Sequence, residues 1–168
     1  MNAPKQILRP IISNAGTTRD FIGIVRRLTG ASPADILDVR LIVEPQAAAA
    51  AVSSATGADL KMIREAHDMA SAAEDLATFE KWDAELHSRI YTATRNELLI
   101  SLNKLIGDIR NRPPWLRLKH KVITDAKRRE YCGHHAEIVE AIANRDNDGA
   151  AAAMHHHLTV IVEDLFPR

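Results

Sequence analysis

The sequence predicts an all-α bundle, and three observations carry that prediction. Hydrophobic residues make up 46% of the chain but aromatics only 4%, so the interior must be built mainly from Ala, Leu, Ile and Val. Glycine and proline, which punctuate strands and turns, are sparse at seven each. Long stretches repeat their apolar residues every three or four positions, the spacing of one helix face. At 168 residues the chain suits one domain with enough interior for a proper core.

Each element follows from its own signals. Residues 1–16 contain Pro4, Pro10 and Gly16 without a clear period and read as an irregular lead-in. Thr17 or Thr18 can cap a short helix in which Phe21, Ile24, Val25 and Leu28 share a face, closed by Gly30. Ser32, Pro33 and Asp35 form a strong helix start, with a cap, a proline at the first position and an acid at the positive end of the dipole. That helix should run to about Ser54, aligning Leu37, Leu41, Glu44 and Ala48, with a kink at Pro45. Further helices are expected over about Ala58–Glu74, Leu76–Thr94 and Glu97–Asn111, the last with a Leu98, Leu102, Leu105 and Ile109 stripe. Pro113-Pro114 should force a break, and the basic stretch from Arg110 to Arg129 reads as solvated loop and helix face. Two helices close the chain, one carrying His135, Ile138, Val139 and Ile142, the other Met154, Leu158, Ile161 and Leu165. Asn147, Asp148 and Gly149 should form the turn between them, with Asp148 as the cap.

Several function classes are disfavoured by composition. Lys+Arg and Asp+Glu balance at 22 each, so there is no general basic field for nucleic acid. The single cysteine, Cys132, rules out an internal disulfide and suits a reducing cytoplasm. No apolar run reaches the ~18–20 residues a bilayer span needs, and the N-terminus lacks a signal-peptide core. A cytoplasmic protein with no membrane partner is expected.

The chemistry concentrates in FEKWDAELHSRIYTATRN, residues 79–96. Asp83 and His87 are one helical turn apart on one face, where both can reach a single divalent ion. Among the late histidines, His135 shares the buried face of Ile138, Val139 and Ile142, and His157 lies three after Met154 and four before Ile161. Both therefore point inward, unlike His134, His155 and His156. Asp83, His87, His135 and His157 would make an Asp-His-His-His site for Zn²⁺, Ni²⁺, Mn²⁺ or Fe²⁺, a choice the ligand types leave open. The same spacing also suits three structural histidines and a local Asp83–His87 ion pair, and on spacing alone both readings stand.

The stretches SPADILDVRLIVEPQAAAAA (32–51), WDAELHSRIYTATRNELL (82–99) and HAEIVEAIANRDNDGAAAAMHHHL (135–158) occur in the order found in a known family. The chain resembles the FCD effector domain of GntR-type, FadR-like transcription regulators over about 30–165. The resemblance implies an antiparallel helical bundle of six to seven helices around a central metal and ligand pocket. It implies metal ligation by Asp83, His87, His135 and His157, with Leu86 standing where the family usually has Phe. It further implies a small organic acid as effector and a homodimer. Arg40 matches the family's first-helix arginine and would meet a carboxylate bidentately, its alternative being a salt bridge to Glu44. Arg110 is a second effector candidate, on a helix that can equally present it to solvent.

The expected organisation is a lead-in and linker helix over 1–30 and an FCD-like effector domain over 31–168. The lead-in leaves no room for a winged helix-turn-helix, so DNA would be reached only through such a module outside this chain. The leading function is a metal-containing, carboxylate-sensing regulatory domain and not an enzyme. The alternative is a hydrolase-like enzyme in which the metal activates water. Against it, Glu85 is the only nearby general base and should point away from the site. A third reading is a helical interaction module whose histidines are structural.

Overall fold

The computed structural model describes Gly23 and residues 30–167. The short helix expected after Thr17 or Thr18 lies outside the described residues. The backbone divides into Met1–Ala31 and Ser32–Arg168, and the whole predicted metal set belongs to the second unit.

Seven helices and no strand make up that unit among the described residues: α1 (Pro33–Ser54), α2 (Gly57–Ser71), α3 (Leu76–Ala93), α4 (Glu97–Arg110), α5 (Pro113–Val122), α6 (Asp125–Ala143) and α7 (Asn147–Leu165). None is long and apolar enough to cross a membrane. α1 packs most extensively on α7, α2 on α3, and α6 on α7. Ala48 and Ala51 of α1 and Ala150 of α7 are fully buried, and such small side chains let two helix backbones approach closely.

The helix starts are set by side-chain caps. Ser32 Oγ accepts from the Asp35 amide at 3.2 Å while Asp35 Oδ2 accepts from the Ser32 amide at 2.9 Å, a complete capping box. Thr56 and Asp59 repeat the device at α2. Asp75, Asn96 and Thr124 cap α3, α4 and α6. α1 runs unbroken through buried Pro45.

Four expectations change. α2 ends at Ser71 rather than near Glu74, because Asp75 needs extended backbone to cap α3. In α4 the expected stripe faces the core only towards its end: Ile109 is buried beside Ile106, Leu102 and Leu105 are half-buried, and Leu98 is 78% exposed. The helical run does break before the double proline, at Asn111 and Arg112, but a further helix then begins: Pro113 and Pro114 occupy the first turn of α5, where a missing N–H costs nothing. α7 is capped by Asp146 rather than Asp148, with Asp146 Oδ1 accepting from the Gly149 amide at 2.8 Å.

Two tight corners use arginine where glycine is usual. Arg95 (φ 58°) turns α3 into α4, and Arg145 (φ 61°) turns α6 into α7. Arg145 donates to Val52 O at 2.5 Å and Ala55 O at 2.7 Å, closing the carbonyl end of α1, which has no basic residue in its own last turn. Arg95 reaches Asp59 at the start of α2, and Ser54 Oγ donates to Ala93 O at 2.6 Å.

Candidate metal centre

α3 carries Asp83 and His87 on successive turns of its buried face. α6 contributes His135 and α7 contributes His157, both wholly buried. One donor atom from each of the four lies within 4.8 Å of the other three. His135 Nε2 stands 3.2 Å from His157 Nε2 and 3.4 Å from Asp83 Oδ1, and His87 Nε2 stands 3.9 Å from that same oxygen. Ligands about 2.1 Å from a common ion stand roughly 3.0–3.4 Å apart along the edges of an octahedron or tetrahedron, so the two short separations match a coordination edge.

Protonation states point the same way. Burial disfavours the Asp83 carboxylate, but the His135 hydrogen bond and the Arg110 charge outweigh it and hold its pKa well below the usual range. Burial lowers the pKa of His135, against the pull of Asp83. For His157, burial and then the neighbouring His135 and His87 push it well down. An ionised carboxylate and neutral imidazoles are the forms that bind a divalent ion. The donor set and its burial therefore fit a metal site.

Around this centre lies a shell of charge. Glu44 on α1 faces His87 Nδ1 with Oε2 at 2.7 Å, in a geometry short of a straight hydrogen bond. Its other oxygen accepts from Arg40 Nε at 2.6 Å. Burial alone would raise the Glu44 pKa, yet Arg40 and then His87 bring it far below the carboxylate range. On the opposite side Arg110 Nη2 donates to Asp83 Oδ2 at 2.9 Å. A carboxylate behind an imidazole and a cation behind a carboxylate hold both groups in fixed orientations, as metal sites require. Nδ1 of His135 and of His157 has no protein partner.

The sequence-predicted residues thus sit together. Arg40 is 1% exposed and engaged by Glu44; Arg110 is buried, not turned to solvent. Both line a small cavity of about 20 Å³ beside Asp83, room for about one water. Glu85, the one candidate base, is bound by Arg89 at 2.8 Å. Sequence reasoning missed Glu44 as a partner of His87, and it missed Trp115 and Lys119, which α5 buries against the same cavity. Their i, i+4 spacing behind a proline helix start was the available signal.

The family model described as "FCD domain" matches residues 35–160. The chain belongs to the FCD domain family. Among curated proteins, this FCD domain is 27% identical over 161 residues to the Uxu operon transcriptional regulator of Escherichia coli K12, covering 92% of the chain and 62% of that protein. It is 25% identical over 126 residues to the Exu regulon transcriptional regulator of the same organism, covering 75% of the chain and 48% of that protein. The chain thus spans about half to three-fifths of these relatives, which are transcriptional regulators and not enzymes. Two solved structures share the fold. E. coli McbR/YncC aligns with TM-score 0.71 at 19% identity, over 79% of this chain and 63% of that one. Streptococcus agalactiae GntR aligns with TM-score 0.62 at 23% identity, over 82% and 58%. The FCD domain here is of the type found in GntR-family regulators.

Proposed function

We propose that this FCD domain holds a divalent ion on Asp83, His87, His135 and His157 and senses a small organic acid beside it, as the regulatory half of a dimeric transcription regulator. The observation that carries the reading is the convergence of four buried donors next to a cavity walled by Arg40 and Arg110. When bound, the ion supplies a fixed positive charge to which an oxygen of the acid can be attracted. Arg110 and Glu44 orient the ligating side chains, and Arg40 adds a cation to the wall the acid would meet. The acid stabilises whichever conformation it fits better, by no more than the difference in its affinities.

Metal analysis of purified variants tests the centre. The wild type should carry about one divalent ion per chain, His157→Ala should lose it, and His155→Ala and His156→Ala, which alter exposed residues, should keep it. Equal metal content in all three variants would sink the assignment.

A further inference from the structure

Lys119 is a buried amine, 5% exposed, whose pKa burial and then the Arg40 charge press down to about 7, and for which the proposed centre has no use. It touches Glu80, and these two side chains line two spaces at once. One is the inner cavity beside Asp83 and Arg110; the other is an outer cleft of about 490 Å³ bordered by Leu76, Lys81 and Leu116. The Glu80–Lys119 pair is therefore the partition between solvent and the inner cavity. Trp115 lies one turn before Lys119, its ring within 5.9 Å of the Lys119 ammonium and 5.8 Å of the Arg110 guanidinium. Among the described residues, Trp115 Nε1 and Arg110 Nε are buried donors without a partner, in side chains that line the inner cavity. Buried unpaired N–H groups are rare in native proteins and call for an acceptor.

Charge says how many acceptors. With Lys119 in its ammonium form, Arg40, Arg110 and Lys119 are matched by Glu44, Asp83 and Glu80. A divalent ion among them leaves two positive charges over, which one carboxylate halves and two cancel. Size says what must move. The inner cavity has room for about one water, so an organic acid enters only if Glu80 and Lys119 part and the inner and outer spaces join.

We infer that the Glu80–Lys119 pair is the entrance to the effector site, and that Lys119, released from Glu80, binds a second carboxylate with the Trp115 indole N–H. The sensed acid is then a dianion, typically a short dicarboxylate. This rests on the metal-and-acid reading and adds a residue set, a route and a ligand charge to it.

Calorimetric titration of the metal-loaded chain with succinate and malate, against butyrate and lactate, tests it. The dicarboxylates should bind at least about tenfold more tightly than the monocarboxylates. Lys119→Met should collapse that gap to about twofold while the chain still carries about one divalent ion. Glu80→Gln should act in the opposite direction, tightening dicarboxylate binding severalfold, because the competing carboxylate is gone. If Lys119→Met fails to fold, Glu80→Gln and the near-isosteric Trp115→Phe decide: the first should widen the gap and the second narrow it. Equal affinity for both acid types in the wild type, or a gap unchanged by these variants, would overturn the Lys119 assignment and leave the metal centre standing. If no acid of either type binds the metal-loaded chain, the acid-sensing reading and this one fall together.

Discussion

Glu44 shows how much one side chain can carry. It neutralises Arg40, backs His87 and is 1% exposed, so removing its charge strands a buried guanidinium. Breaking a buried pair from one side is worth about 3–5 kcal/mol, whereas an exposed pair contributes about 0–1 kcal/mol. Glu44→Gln should therefore destabilise the domain by about 3–5 kcal/mol, and lower metal affinity by about 10–100-fold through loss of the group behind His87. Glu65→Gln, which removes an exposed partner of Arg89, should change stability by less than about 1 kcal/mol. Urea unfolding of the two variants makes the comparison, and similar losses would show that Glu44 is not the keystone of the network. Much of this was legible in the sequence: the i, i+4 spacing of Arg40 and Glu44 announces the pair. That Glu44 also faces His87 was not legible, because it depends on how α1 crosses α3.

At the scale of elements, caps were the clearest signals and charge runs the poorest. Ser32-Pro33 and Asn96 announced helix starts that the structure contains. The basic stretch after Arg110 is mostly solvated as expected, but a run of charge describes an average face, and packing selects Trp115 and Lys119 from it for burial. The corner at Arg145 offers a test free of the metal. Alanine there loses two bonds to the end of α1 and keeps a strained positive φ. Glycine loses the same bonds but relaxes the backbone, which is worth about 1 kcal/mol. Arg145→Ala should thus cost about 2–4 kcal/mol and Arg145→Gly about 1 kcal/mol less, the reverse of the usual order within helices. Chemical denaturation of both variants measures the order, and glycine proving the worse of the two would remove strain from the account.

For the whole molecule, the buried centre makes stability a function of acidity. Burial holds the folded pKa of His135 and His157 below the ordinary value near 6.5. Between those values the unfolded chain binds protons that the folded chain does not, so stability falls as pH falls below about 6.5 and is insensitive to these groups above it. Asp83 and Glu44, also depressed, add to the loss once pH drops through the carboxylate range. Each group contributes a slope of up to about 1.4 kcal/mol per pH unit. Thermal melts in chelator should decline from about pH 6.5 towards pH 5, and His157→Gln should flatten that decline. A wild-type profile level down to pH 5 would mean the histidines titrate as if exposed.

The arginine corners have a mechanical consequence. Arg145 ties to the end of α1, Ser54 ties α1 to the end of α3, and Arg95 ties that turn to the start of α2. One pole of the bundle is tied together there, and α1 leaves it at Ser54 to lie along α7. Arg40 and Glu44 lie along its length on the site side, and its far tip is Ser32, where the chain arrives from residues 1–31. A push at Arg40 is about eight residues, or about 12 Å of helix, from that tip. An acid that displaced Arg40 would thus act on α1 nearer its start than its tied end.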